Sequence, residues 1–266
     1  MRPATLPPVG DRRVAIVTGA SAGIGRAIAP ALGELRWAVA VGARRTDRLE
    51  DAAAAVEAAG GAGFAHPLDV TDASSVDAFF DAAERALGPV DVLVNNAGMS
   101  VPGEFHRISV EDLTREVATN LLGPMLLSRR AIASMRDRGA GGDLVFISSD
   151  ATRNARPRMA AYSATKAGVE LLARSLSMEL EGTGIRATTV RIGPTLSEFG
   201  SGWDPDELAA LMEFWPRFGL QRHLATLEPE AVARAVVFAV TAPEGVHLDT
   251  IEVQPEAPRT NRSTRS

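Results

Sequence analysis

The chain has one tyrosine, and a scan of its basic residues finds one lysine; the two stand four residues apart in Ala161-Tyr162-Ser163-Ala164-Thr165-Lys166-Ala167-Gly168. On a helix that spacing puts both side chains on one face, a single turn apart. A free phenol ionises only near pH ~10, but a neighbouring ammonium stabilises phenolate and brings its ionisation toward the operating range. A phenol placed in this way can give a proton to, or take one from, the oxygen of a small molecule. Read without chemistry, the same pair is an amphipathic pair at the edge of a core.

A second stretch with chemical content is Thr18-Gly19-Ala20-Ser21-Ala22-Gly23-Ile24-Gly25, which follows the apolar run VAIVTG and leads straight into helical sequence. Glycines at such a turn let the backbone approach a pyrophosphate, and the helix start offers free N–H groups and a positive dipole end. The spacing is G-x-x-x-G-x-G rather than G-x-G-x-x-G, so the position after the first strand carries the reading. Gly19, Ser21, Ala22, Gly23, Ile24 and Gly25 are the candidate cradle for a dinucleotide; a tight turn with no ligand is the plainer alternative. The next strand ends Ala40-Val41-Gly42-Ala43-Arg44-Arg45. An acid at this strand end holds a free adenosine ribose, and it would repel a 2′-phosphate. Ala43 stands where that acid would be, and Arg44 and Arg45 follow with planar forks suited to phosphate, which favours NADP(H) over NAD(H). Cations at a helix start oppose its dipole, so a solvated helix start accounts for them less well.

The elements that must position these residues alternate. VAIVTG, WAVAVGA, a short strand near 63–68, VDVLVNNAG, DLVFISS, IRATTVRIG and a last strand near 253 are separated by helical stretches near 24–36, 46–59, 73–87, 109–137, 158–182 and from 229. Parallel strands with crossover helices follow from that rhythm. Strand runs apolar almost throughout imply helices on both faces, hence one α/β domain with a Rossmann-like doubly wound parallel sheet of about seven strands. It spans 12–254, while 1–11 and 255–266, rich in Pro, Arg, Ser and Thr, read as flexible tails. Residues 197–227 break the rhythm with Phe199, Trp203, Phe214, Trp215 and Phe218. They read as a lid over the cleft, its aromatics either lining an apolar substrate pocket or stapling the lid to the body. Asp150 to Thr152, Met99, Ser100 and Met159 are expected to flank the same cleft.

Composition removes other classes. With 45% hydrophobic and 23% charged residues in 266, the chain can bury a full core. There is no Cys, hence no thiolate chemistry, and His66, His106, His223 and His247 are scattered without ligand spacing, so no metal site is expected. No signal peptide or membrane span is legible, which implies a cytoplasmic protein. A net charge of −5 argues against nucleic acid, and the arginines between 153 and 158 read as a solvated loop.

With these residues in hand, the chain resembles the short-chain dehydrogenase/reductase family over 12–254. TGASAGIG, Asp69-Val70, Asn95-Asn96-Ala97-Gly98, Asn120, Ser149, and Tyr162 with Lys166 occur in the family's order and approximate spacing. The resemblance implies a tetrad of Asn120, Ser149, Tyr162 and Lys166. It also implies that Asp69 and Val70 border the adenine, that Asn96, Ala97 and Gly98 line the cofactor cleft, and that Lys166 also holds the nicotinamide ribose. Ser149 is preferred to Ser148 because it stands 13 before Tyr162, the family's usual interval. Without the resemblance, Ser149 is a strand-end turn residue, Asn120 a misfit inside a helix, and Asp69 a cap for the next segment.

The chain departs from the family after the sixth strand, where Ile192-Gly193-Pro194-Thr195-Leu196-Ser197 has Pro two places late and Ser for Thr. The hydroxyl is kept, so Thr195 and Ser197 are candidates for a carboxamide contact. IEVQPEAP replaces the usual Gly-Gly ending. The implied activity is NADP(H)-dependent interconversion of an alcohol and a carbonyl with Tyr162 as general acid/base. The alternative, a catalytically idle NADP-binding sensor or scaffold, is opposed by the complete tetrad, and a nucleotide-sugar epimerase needs a further domain. A homodimer or homotetramer is implied, through helices near 109–137 and 158–182, where Ala167, Gly168 and Ala173 are small enough for close packing, although burial against the chain's own sheet explains them equally well.

Overall fold

The computed structural model describes residues 12–220 and 223–258, so the 1–11 tail and most of the 255–266 tail lie outside the described residues. Seven strands form one parallel sheet in the order β3-β2-β1-β4-β5-β6-β7. They are β1 (Val14–Thr18), β2 (Ala38–Ala43), β3 (Ala62–Pro67), β4 (Val92–Asn95), β5 (Gly142–Ser149), β6 (Ile185–Ile192) and β7 (Thr250–Val253). The helices are α1 (Gly23–Gly33), α2 (Leu49–Ala58), α3 (Ala73–Leu87), α4 (Val110–Val117), α5 (Gly123–Asp137), α6 (Ala160–Glu179), α7 (Pro205–Arg217) and α8 (Pro229–Val240).

The near-continuous hydrophobicity of the central strands has a direct cause. Along β1, Ala15 and Val17 pack with Ile28 and Leu32 of α1, Val56 of α2 and Val236 of α8. Val14 and Ile16 face the other way, onto Phe79 and Phe80 of α3, Leu127 of α5 and Val169 of α6. Both sides of each central strand are therefore in a core, whereas the edge strands β3 and β7 are only partly buried. The strand order reverses between β1 and β4, which opens a crevice at the carboxyl ends of these two strands.

The helix expected near 109–137 is interrupted. Between α4 and α5 the chain makes a π turn over Ala118–Leu122, which carries Asn120. Asn120 is 1% exposed, and its Oδ1 accepts from the Met99 amide at 2.9 Å while Nδ2 donates to the Met99 carbonyl at 2.8 Å and to Thr165 Oγ1 at 3.2 Å. The polar side chain that looks out of place in a helix interior thus holds the loop after β4 against α6.

Of the small residues expected to permit close packing between copies, Ala173 is in the chain's own core and Gly168 lies against Leu121. Only Ala167 is exposed, and the outer surface of this region instead presents Leu122, Met125, Leu171 and Met178. Among the described residues, no helix is long and apolar enough to cross a membrane.

Asn120→Ala leaves both backbone groups of Met99 without their side-chain partner. We expect a loss of about 1–3 kcal/mol, which is a fall in Tm of roughly 2–12 °C at this chain length; calorimetry of the variant beside wild type measures it.

Candidate active site

The crevice begins with a clamp. Thr18 Oγ1 donates to the Val94 carbonyl at 3.2 Å and accepts from the amides of Asn96 and Ala97, both at 3.0 Å. Asn96 Nδ2 donates back to the Thr18 carbonyl at 2.8 Å. Pulled in by these bonds, the glycine turn lies flat on the end of β4. Gly19 adopts a φ of 66°, which disfavours any side chain, and a Cβ on Gly25 would stand 2.6 Å from both Asn96 Nδ2 and the Gly19 carbonyl. α1 then starts with no side chain capping it.

A cavity of about 390 Å³ lies over this turn. Gly19 and Ser21 to Ile24 form one wall, Arg44 and Arg45 the β2 end, Asp69 and Val70 a further side, and Asn96, Ala97 and Gly98 the base. Gly25 is beneath the turn and does not line the cavity. The Asp69 carboxylate also closes its own turn by accepting from Thr71 N at 2.9 Å and Thr71 Oγ1 at 2.7 Å.

The structure separates the paired arginines. Arg44 is exposed at the cavity edge. Arg45 donates to Ser21 Oγ at 3.2 and 3.3 Å and to Glu198 at 2.6 Å, and Arg48 reaches the other Glu198 oxygen at 2.6 Å. These two guanidinium groups hold the Glu198 carboxyl below the usual carboxylate range.

A second cavity, about 240 Å³, shares Ile24, Asn96, Gly98, Ser197 and Phe199 with the first. Ser149, Tyr162, Lys166 and Thr195 all line it. Asn120 stands behind Gly98: a methyl on that glycine would be 3.4 Å from Asn120 Oδ1 and 3.5 Å from Lys166 Nζ. The structure therefore brings the four expected tetrad residues around one corner. Adjacent residues of β5 point apart, so Ser148 donates to Glu170 at 2.7 Å while Ser149, whose Oγ accepts from the Ala151 amide at 3.2 Å, faces the inner cavity beside Tyr162. Thr195 donates to the Gly193 carbonyl at 2.9 Å, and Ser197 Oγ accepts from Phe199 N at 3.2 Å.

The electrostatics differ from the expectation that Lys166 draws the phenol's ionisation downward. Lys166 is 6% exposed and donates to the Ile147 carbonyl at 2.9 Å, with Nζ 5.8 Å from the centre of the Tyr162 ring. Burial pushes its ammonium down to about 8. The phenol is pushed up to about 12, mainly by burial; the nearby Ser149 hydroxyl opposes this, the negative charges of Asp150 and Glu116 add to it, and Arg156 opposes it. Desolvation dominates, and the ligand-free phenol is an acid that keeps its proton.

The aromatics of 197–227 divide between the inner cavity and the outer surface. Phe199 packs on Tyr162 with ring centres 5.4 Å apart, and Trp203 stands 5.6 Å from Phe199 while donating to the Ser100 carbonyl at 2.9 Å. Phe199, Trp203 and Trp215 line the inner cavity, but Phe218 is exposed and Phe214 lies beside Arg217. Asp150, Ala151 and Met159 flank the inner cavity and Met99 the outer one. Thr152 turns away to Glu170, and Ser100 takes part through its carbonyl.

Of the loop arginines expected to be solvated, Arg153 is exposed and Arg156 is not. Arg156 is 6% exposed, pairs with Asp150 at 2.7 Å and covers the Trp215 ring at 4.7 Å, all on the inner cavity wall. No local spacing announces an ion pair formed within a loop, nor Glu198 reaching back across the chain to Arg45; these residues are legible only in three dimensions.

A family model described as short chain dehydrogenase matches residues 13–208. The chain belongs to the short-chain dehydrogenase/reductase family. It is 35% identical over 91% of its length to glycine betaine reductase ATRR of Emericella nidulans, of which it spans only 19%. It is also 34% identical to the ketoacyl reductase HetN of Nostoc sp., covering 86% of this chain and 75% of that one. Among solved members of the fold, an alcohol dehydrogenase from the archaeon Thermococcus sibiricus complexed with 5-hydroxy-NADP superposes with a TM-score of 0.78 at 29% identity, covering 94% of this chain and 99% of that one. A serine dehydrogenase in its closed form with NADP+ gives 0.79 at 28% identity, over 90% and 94%.

Because Tyr162 is the only tyrosine, the near-ultraviolet tyrosinate band reports this one group. With the phenol at about 12, the ligand-free protein should show almost no tyrosinate where a free phenol is half ionised, near pH ~10. A midpoint at or below that pH contradicts the electrostatic account.

Proposed function

We propose that the protein is an NADP(H)-dependent oxidoreductase interconverting an alcohol and a carbonyl, with Tyr162 as the proton donor in reduction. The observation that carries this reading is the meeting of Tyr162, Ser149 and Lys166 in one cavity, with Asn120 behind, where it joins the cleft over the glycine turn. The cleft fits a dinucleotide: a Cβ at Gly25 would collide with the turn that forms its base, and Arg44 stands exposed where a 2′-phosphate needs a cation. Gly19, Ser21 to Ile24, Asp69, Val70 and Asn96 to Gly98 would hold the adenosine and diphosphate, and Lys166, Thr195 and Ser197 the nicotinamide end. When bound, the nicotinamide supplies the hydride for reduction, or accepts it in oxidation.

The remaining chemistry belongs to the chain. Ser149 orients the substrate oxygen toward the phenol. Tyr162, held protonated by burial, gives its proton to that oxygen as negative charge develops on it. Lys166, close to its own ionisation at neutral pH, supplies a positive charge beneath the site, and Asn120 fixes the loop that carries Gly98. Oxidation requires the same groups in the opposite protonation order. Phe199, Trp203 and Trp215 exclude water and favour a substrate with an apolar body. In this reading 12–254 is one catalytic domain with 197–227 as its lid, and two or four copies associate through the apolar outer surface around α5 and α6.

The test is cofactor titration with turnover. A charge-assisted Arg–phosphate contact contributes about 1.5–3 kcal/mol, so NADPH should bind roughly tenfold to a hundredfold more tightly than NADH. Arg44→Ala should reduce that preference by weakening NADPH alone. Tyr162→Phe should abolish turnover yet bind NADPH nearly as wild type does, whereas Lys166→Ala should lose both. Equal affinity for the two cofactors, or turnover in Tyr162→Phe, refutes the reading. Light scattering should show more than a monomer, and Leu171→Glu should shift it toward one.

A further inference from the structure

Glu198 places a carboxylate between Arg45 and Arg48, one oxygen on each guanidinium at 2.6 Å. Arg45 is at the same time braced on Ser21 Oγ, inside the glycine turn. Two oxygens of one anion held by two guanidinium groups beside that turn is the arrangement a phosphate takes. All three side chains are 40–48% exposed, so these ion pairs are weak and exchange readily with another anion.

The position of Glu198 in the fold gives the pair a further meaning. Ala43 leaves the end of β2 without the acid that accepts a free ribose hydroxyl. Glu198 brings an acid to the rim of the same cavity from a distant part of the chain. Arg44 alone of the three arginines has an open guanidinium there. The two residues flanking Glu198 touch the rest of the site: Ser197 packs against Gly23, and Phe199 covers Tyr162.

We propose that Glu198 is a cofactor-discriminating residue: its carboxylate occupies Arg45 and Arg48 in place of a 2′-phosphate, NADP(H) displaces it, and NAD(H) binds with the pair intact. This inference rests on the NADP(H) reading above.

The test uses 2′,5′-ADP and 5′-AMP as probes, titrated calorimetrically into wild type and Glu198→Gln, with a thermal melt to verify folding. Removing the competing charge should tighten 2′,5′-ADP roughly threefold to tenfold, leave 5′-AMP within about twofold, and do so less at high salt. Glu198→Asp, which keeps the charge, should stay nearer wild type. If wild type prefers 2′,5′-ADP but Glu198→Gln gains nothing, gains equally on both probes or loses affinity, this inference fails while the NADP(H) reading stands. If wild type does not prefer 2′,5′-ADP at all, both fall.

Discussion

The side chains of Thr18 and Asn96 hold the ends of β1 and β4 together, and the rest of the site is referred to that junction. Thr18 Oγ1 is a shared acceptor for consecutive amides, and Asn96 Nδ2 donates a further bond to the Thr18 carbonyl. Parallel strands that part to opposite sides of a sheet leave a gap at their ends; here the gap is closed below and left open above. The glycine turn can only lie where Asn96 leaves room, which is why Gly25 matters although it lines nothing. The loop after β4 then passes over the junction and is held from the far side by Asn120, so hydrogen bonds at both ends of that loop tie it to the glycine turn and to α6.

Around Tyr162 and Lys166 two physical effects compete, and burial wins. Enclosure disfavours the charged form of each, raising the phenol and lowering the amine, so their ionisations move apart. Such a site keeps its proton on the oxygen and holds its ammonium only loosely. That is the setting of an acid rather than a base, and it follows from the packing of Phe199 and the strand ends as much as from the two residues themselves.

Much of this was readable in the sequence. Strand runs apolar on both faces implied a covered parallel sheet, because Val14 and Ala15 must each find a core. Glycines after β1 implied a close backbone approach, and the Tyr162–Lys166 spacing placed two polar heads on one helix face. What escaped were relations with no local signature. The π turn at Asn120 depends on Met99 as a partner, the burial of Arg156 on Asp150 and Trp215, and the engagement of Arg45 on a glutamate from another part of the chain. The sign of the phenol's shift was also hidden, since proximity of a cation can be read from spacing while desolvation cannot.

The solitary lysine has a use outside catalysis. A protease specific for lysyl bonds finds one cleavable peptide in the sequence, after Lys166, in the interior of α6 and with its side chain buried against β5. Cleavage there requires several turns of α6 to unwind. When reclosure is faster than cutting, the digestion rate reads the free energy of that single opening. The protein thus carries its own local gauge of how firmly the helix bearing Tyr162 and Lys166 is held in place.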